Sequence, residues 1–257
     1  MTASPDAGLL EAFQLDAHAW RARWPKLHGA DRVPYPDDGR ALSAWVLYHS
    51  GEFQRAEHIG IVAGVAGLAA AHRAGISAAT LVERSERVRL QRLQNIYLRA
   101  LAHAAQAPED ASAWYGQGDA LVRYSQGIGM ARALAKGLGE RLRGALLRTL
   151  ELEPQHAAAH VALGVYLAEV VAKVGPLIAS MTYGATPELA WEHLRRGLQL
   201  APDCPWVLLE SAHALRLIEG DAAQSDSLRL YERAAACTPL DATQQLCVAL
   251  AQAELRD

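Results

Sequence analysis

Two histidines one helical turn apart, His156 and His160, are the first candidates for chemistry in the sequence. A spacing of four residues places both imidazoles on one face of a helix, and such a pair can bind a metal ion such as zinc. No glutamate stands between them, as it does in the zinc-protease motif. We therefore expect the two histidines to pack against neighbouring helices, and we keep a metal-dependent enzyme only as a second alternative.

A cysteine nucleophile is the other chemistry to consider. Cys204 or Cys237 could pair with His213, but nothing in the local sequence would activate either thiol. The sequence also contains no phosphate-binding loop and no glycine-rich dinucleotide motif after a strand. We therefore expect a protein that is not an enzyme and that uses no cofactor and no metal.

A repeated sequence pattern predicts the helices that would position these histidines and cysteines. Three stretches each begin with a bulky residue, end with a small one and are followed three residues later by a leucine: residues 114–118, 160–164 and 208–212. Each stretch follows a proline, at Pro108, Pro154 and Pro202. This pattern is typical of the first helix of a tetratricopeptide repeat, in which a small residue lets two helices touch. It predicts an all-α, tetratricopeptide-like right-handed superhelix of antiparallel helix pairs, with insertions and an N-terminal helical extension.

The same pattern predicts the organisation of the chain. We expect an N-terminal helix in residues 1–30 (with Leu9, Leu10, Phe13, Trp20 and Trp24), a connector in 31–40 and one helical-repeat domain in 41–257. Within that domain we expect repeats at 41–75, 111–154, 157–202 and 205–239, and a capping helix at 241–255. Two repeats exceed the usual 34 residues, which predicts insertions near 127–139 and 174–187. The first repeat has glycines at 60, 64 and 67, so another helix should pack unusually close there.

The concave face of such an array is lined by fixed positions of each first helix. Projected onto this sequence, these positions give the candidate binding residues Tyr115, Asp119, Arg123, Val161, Val165, Glu169, Trp206, Leu209, His213 and Arg216. The lysine and asparagine set with which chaperone-binding repeats hold a C-terminal carboxylate is absent. The lining is apolar with a few charges, as in a pocket for an amphipathic molecule or peptide. Alternatively, the insertions and the N-terminal helix fill the groove, and these residues belong to the core.

Composition and charge limit the partners. Hydrophobic residues make up 51% of the 257 residues and the net charge is −3, so a packed core is expected and nucleic acid is not an expected partner. Residues 84–148 carry eleven Lys/Arg and five Asp/Glu, whereas residues 149–257 carry seven Lys/Arg and fourteen Asp/Glu. The two parts have opposite net charge and could attract each other in a homo-oligomer. The apolar run 59–71 is too short for a membrane span. The chain has only three cysteines, without a Cys-x-x-Cys spacing, and no recognisable signal peptide. Both features favour a cytoplasmic bacterial protein with reduced thiols.

Part of the chain also resembles a narrower family. The stretch from Pro154 to Tyr166, together with Tyr183-Gly184-Ala185 and the tail Leu198–Pro202, is similar to the TatT-like proteins associated with TRAP transporters. The resemblance covers roughly residues 85–254. It implies an all-helical fold with a central cavity or groove for an apolar ligand, and docking to a solute-binding protein. Those relatives are exported lipoproteins, whereas residues 1–30 contain no acylatable cysteine.

These observations favour a non-enzymatic helical-repeat protein that binds a protein partner or an apolar small molecule through its concave surface. The first alternative is a TatT-like, apolar-ligand-binding accessory of a TRAP-type transport system. The second alternative is the metal-dependent enzyme that would use His156 and His160.

Overall fold

The computed structural model describes Phe13 and residues 17–256, apart from the side chains of residues 17, 18, 221 and 223. Leu9 and Leu10 of the expected N-terminal helix lie outside the described residues. The part of the chain that is described contains helices and no strand. The helices are α1 (Ala17–Leu27), α2 (Gly39–His49), α3 (Phe53–Val62), α4 (Val65–Ser77), α5 (Glu86–Gln106), α6 (Ala111–Ile128), α7 (Met130–Ala135), α8 (Leu138–Leu152), α9 (Ala157–Val174), α10 (Pro176–Ile178), α11 (Pro187–Leu200), α12 (Pro205–Glu219), α13 (Gln224–Ala236) and α14 (Ala242–Glu254).

Most of these helices pack as successive pairs. The pairs are α2 with α3, α4 with α5, α6 with α8, α9 with α11, and α12 with α13. The first helices also contact one another in the order α2, α4, α6, α9, α12. Helix α14 packs on α12 and α13 and also contacts α2, so the last helix of the array meets the first pair. The first helices and α14 therefore form a closed ring.

Local sequence explains where several helices begin. The Thr186 hydroxyl accepts a hydrogen bond from the Leu189 N–H, and Pro187 occupies the first position of α11. The Asp241 carboxylate accepts one from the Gln244 N–H at the start of α14. The insertion near 127–139 contains the short helix α7, and that near 174–187 contains α10 and the π-helical turn Ala179–Tyr183. Both insertions lie between the two helices of a pair, as expected.

In the expected first repeat, the glycine-containing segment forms two helices. Gly64 has φ +67° and separates α3 from α4, which continues into the π-helical turn Ala78–Val82. The expected repeat 41–75 is therefore the pair α2–α3 followed by the beginning of a separate pair, α4–α5. The close approach does occur, between α3 and α4 themselves: a Cβ added to Gly67 would lie 2.5 Å from the Gly60 carbonyl oxygen.

The N-terminal helix lies against the ring. Trp20 and Trp24 of α1 are buried, and Trp24 packs edge-on against Trp45 of α2. The turn after α1 also reaches α9, because the Ala158 N–H donates to the Ala30 carbonyl. The Arg23 guanidinium donates to the Leu240 carbonyl just before α14. The segment therefore joins three members of the ring and covers one side of its centre.

Two helical segments, Val65–Val82 and Ala157–Val174, are long and apolar enough to cross a membrane by length and composition alone. However, 61% of the first and 72% of the second is buried inside the protein. Both lie in the first helices of the ring, where apolar side chains contact neighbouring helices on several sides. Their hydropathy therefore agrees with a position in the core.

Candidate functional site

The ring of first helices encloses a cavity of about 230 Å³, which we call the inner cavity. Part of its wall is apolar and includes Leu27, Ile76, Leu81, Trp206, Leu209 and Leu250. The rest is ionisable, with four carboxylates, two guanidinium groups and two imidazoles: Asp31, Asp119, Glu210, Asp241, Arg73, Arg123, His28 and His49. Such a concentration of charge in the interior requires compensation by neighbouring groups.

Two of these carboxylates share one guanidinium group. Asp119 and Arg123 are one turn apart on α6, and the Arg123 Nε lies 3.4 Å from the Asp119 Oδ1. The Nη1 atom of Arg123 lies 3.0 Å from the Glu210 Oε1 on α12. Burial lowers the pKa of the Arg123 guanidinium, but Glu210 and Asp119 more than offset this and raise it above its usual value. Arg123 is therefore a permanent cation between two helices of the ring.

A row of hydrogen bonds forms another part of the wall. His28 pairs with Asp31 at 2.8 Å in the turn after α1, and His49 at the end of α2 pairs with Asp241 at 2.7 Å. Burial alone would raise the pKa of the Asp31 carboxyl, but His28, Arg73 and His156 together hold it below its usual value. Burial lowers the pKa of His49, although Asp241 opposes this shift. Asp31 therefore remains ionised although it is buried.

An open groove of about 610 Å³ adjoins the inner cavity, and we call it the outer groove. Its walls come from α6, α7, α9, α12, α13 and α14, with the polar side chains Arg123, Gln126, Glu169, Lys173, Glu210, His213, Tyr231 and Glu254. Its apolar part includes Met130, Leu209, Leu217 and Leu250. Four residues line both spaces, namely Arg123, Leu209, Glu210 and Leu250. The Arg123–Glu210 ion pair therefore lies where the two spaces meet.

Glu169 is the most perturbed acid of the outer groove. Burial raises its pKa to about 7, although the hydrogen bond from Gln126 lowers it. The Gln126 amide donates to the Glu169 Oε1 at 2.8 Å, while the buried Oε2 atom has no hydrogen-bond partner among the residues that the structure describes. Near neutral pH this carboxyl group can therefore either accept or donate a hydrogen bond to a bound molecule.

The ten residues projected onto the concave face lie in different parts of the structure. Asp119, Arg123, Trp206 and Leu209 line the inner cavity, and Arg123, Glu169, Leu209 and His213 line the outer groove. Arg216 is exposed on α12 but lines neither space.

Tyr115, Val161 and Val165 lie in the core instead. The Tyr115 hydroxyl accepts a hydrogen bond from Arg73, and its ring packs on His156. Val161 is closely packed, since a Cβ added to Gly197 of α11 would lie 2.4 Å from its Cγ2. At these three positions the inner face is covered, because the ring closes and the segment after α1 bonds to α9. On α6 and α9 the open groove is therefore lined by the C-terminal turns, where Arg123 and Glu169 lie.

Several cavity residues could not be identified from the sequence. His28, Asp31 and His49 precede the clear repeats. Arg73 lies in the expected repeat 41–75, whose helices the structure divides differently, and Asp241 begins the expected capping helix without a sign of a cavity. Glu210 follows Leu209, which is one of the residues projected onto the concave face, but Glu210 itself does not occupy a concave-face position of the repeat. These residues come together because α14 closes the ring and the turn after α1 lies against it.

The histidine and cysteine candidates occupy separate positions. The His156 Nδ1 accepts the Ala159 N–H at the start of α9, whereas the His160 Nδ1 lies 2.9 Å from the His193 Nδ1. Within Phe13 and residues 17–256, no group of three or more His, Cys, Asp or Glu side chains is arranged to hold a metal ion. Burial raises the pKa of the Cys204 thiol to about 11 and also raises that of Cys237. These thiols are therefore protonated near neutral pH.

Comparison with known proteins gives a match in structure and none in sequence. No family model matches the chain, and no curated protein matches it. The crystal structure of a thermophilic TPR protein from Thermus thermophilus is similar, with a TM-score of 0.53 over 83% of this chain and 97% of that chain. The chain has an all-α, tetratricopeptide-like fold. At 17% sequence identity this similarity concerns the fold alone.

Proposed function

We propose that the chain is a non-enzymatic binding module whose outer groove takes an extended segment of a partner protein. The observation that carries the proposal is the origin of the groove, whose walls come from the first helices of three successive pairs, α6, α9 and α12. In tetratricopeptide-like arrays this inner face is the surface that remains available after the helices have packed.

The lining of the groove fits a peptide better than an apolar ligand. Arg123 and Lys173 supply positive charge, Glu169 and Glu254 supply carboxyl groups, and Leu217 supplies apolar surface. Glu169 lines the groove, and its carboxyl group can accept an N–H from an extended backbone. The apolar-ligand accessory implied by the TatT resemblance has less support, because the inner cavity contains four carboxylates and two guanidinium groups. A cytoplasmic location belongs to the same proposal, and fractionation of the native cells tests it.

Site-specific photo-crosslinking in the native cells tests whether the outer groove binds a partner protein. A photoreactive phenylalanine replaces either His213, which lines the outer groove, or Ala102, which is exposed on α5 and lines neither the groove nor the inner cavity. We expect a crosslinked partner from position 213 and not from position 102. Equal crosslinking from both positions, or none from position 213, would overturn the proposal.

A second variant links the crosslink to the groove itself. Ala172 is exposed and lines the outer groove, so Ala172→Trp fills the groove without disturbing the core. Ala102→Trp places the same side chain at an exposed position of α5, away from the groove, and serves as the control. The crosslink from position 213 should disappear with Ala172→Trp and persist with Ala102→Trp. A crosslink that survives Ala172→Trp would contradict the proposed groove.

A further inference from the structure

The inner cavity contains a guanidinium group whose hydrogen-bonding capacity is largely unused. Arg73 of α4 keeps 23% of its side chain accessible although it lies between the helices of the ring. Within the part of the chain that is described, it makes one hydrogen bond, from Nη1 to the Tyr115 hydroxyl at 3.1 Å. Its Nη2 is 3.6 Å from the Asp31 Oδ2, and no described residue hydrogen-bonds to its buried Nε. A guanidinium group has five N–H donors, so Arg73 can receive an anion from the cavity.

The same cavity contains a carboxylate that lacks a full partner. Asp119 is only 3% exposed, and its Oδ1 atom accepts no hydrogen bond among the described residues. The nearest cation is Arg123, whose Nε is 3.4 Å away and whose Nη1 is already paired with Glu210. Asp119 lines the inner cavity, so a cationic N–H donor bound there can complete the hydrogen bonding of its carboxylate.

An unmet donor and an unmet acceptor in one enclosed space indicate a ligand that carries both charges. Leaving a buried charged group without partners is costly, and one molecule with an anionic and a cationic end would satisfy both. A space of about 230 Å³ would hold about seven water molecules at liquid density, or a molecule of roughly seven to ten non-hydrogen atoms. That is the size of a free amino acid with a small side chain. Ile76, Leu81 and Trp206 supply an apolar surface for such a side chain.

We propose that the inner cavity binds a small zwitterion of the α-amino-acid class, with its carboxylate on Arg73 and its ammonium group on Asp119. The ligand enters from the outer groove past the Arg123–Glu210 ion pair, because these two residues line both spaces. This site uses a different space from the proposed partner groove and does not depend on it.

Ligand binding to the purified full-length chain tests the proposal. The twenty free L-amino acids are screened by thermal shift after denaturation and refolding has removed any bound molecule, and binders are measured by calorimetry. We expect small apolar amino acids, with valine and leucine foremost, to raise the melting temperature. Leucine is then compared with isopentylamine, which lacks the carboxylate, and with 4-methylpentanoic acid, which lacks the amine. Each analogue should bind at least about tenfold more weakly, because it leaves Arg73 or Asp119 without a partner.

Two variants assign the ends of the ligand. Asp119→Asn should weaken leucine binding at least about tenfold and leave binding of 4-methylpentanoic acid unchanged, while Glu232→Gln, at an exposed position of α13, should change neither. Arg73→Lys should weaken leucine and 4-methylpentanoic acid but not isopentylamine. The proposal is overturned if no amino acid binds at millimolar concentration, or if both analogues bind wild-type protein as well as leucine does. The analogue comparison needs no variant and stands even if a substitution prevents folding.

Discussion

The Nε2 atoms of His28 and His49 lie 3.1 Å apart in the interior of the protein. The Nδ1 atom of each ring faces a carboxylate, Asp31 in one case and Asp241 in the other. The two imidazoles therefore link Asp31 and Asp241 in one row of hydrogen bonds, in which each ring contacts a carboxylate through Nδ1 and the other ring through Nε2. The row joins the turn after α1, the end of α2 and the start of α14, so it holds the two ends of the ring together.

Removing His49 from this row should destabilise the protein strongly. In His49→Gln the shorter side chain cannot span both His28 and Asp241, and a buried carboxylate loses its imidazole partner. We expect a loss of about 2–4 kcal/mol in the free energy of unfolding, measured by urea titration. The matched control is His58→Gln, because His58 is exposed on α3 and should change stability by less than about 0.5 kcal/mol. Equal effects of the two substitutions would show that the row contributes nothing.

Acid should destabilise the fold well before its carboxylates are protonated. Burial lowers the pKa of six histidines, His49, His72, His103, His156, His160 and His193, and brings those of His156 and His193 to about 4. In the unfolded chain each has a pKa near 6.5. Between these values the unfolded chain binds protons that the folded chain does not bind, so stability falls as the pH falls.

His156 alone, with a pKa of about 4, would cost about 3 kcal/mol by the time the pH reaches 4. Glu169 acts in the opposite direction, since its raised pKa of about 7 makes the folded chain bind one more proton between pH 4.5 and 7. Six histidines outweigh one glutamate. We therefore expect the urea midpoint to decrease steadily from pH 7 to pH 4.5. A midpoint that stays constant or rises on acidification would contradict these histidine shifts.

Much of the fold could be predicted from sequence, because helix periodicity and caps are local signals. The pairs after Pro108, the Thr186 and Asp241 caps and the two insertions all follow from short stretches of sequence. The break at Gly64 could not be predicted, because a glycine-rich apolar run is compatible with one helix or with two. The candidate site depends on closure of the ring, which is a long-range contact. For this reason Arg123 and Leu209 were identified from the repeat positions, whereas Arg73 and Asp31 were not.

Replacing Glu169 by glutamine should stabilise the protein in a pH-dependent manner. The glutamine side chain would keep the acceptor for the Gln126 amide and would remove the cost of ionising a buried carboxyl group. With a folded pKa of about 7 and an unfolded pKa near 4.5, the gain could reach about 3 kcal/mol above pH 8 and should vanish below pH 4.5. Urea titrations of wild-type and Glu169→Gln protein at pH 4.5 and 8.5 measure the difference. A gain of equal size at both pH values would exclude titration of Glu169 as its cause.

Gly67→Ala and Gly144→Ala should shift stability in opposite directions, although both replace a helical glycine. At Gly67 the new Cβ would lie 2.5 Å from the Gly60 carbonyl oxygen and 2.6 Å from the Ala63 Cβ, so the α3–α4 hairpin must open. Overpacking of this kind typically costs about 1–3 kcal/mol. At Gly144, on α8, a Cβ meets nothing within 4 Å, so the better helix propensity of alanine should stabilise by about 0.4–1 kcal/mol. Thermal unfolding of both variants separates the two effects, since propensity alone would make both substitutions stabilising. A stabilised Gly67→Ala variant would mean that the hairpin can spread without cost.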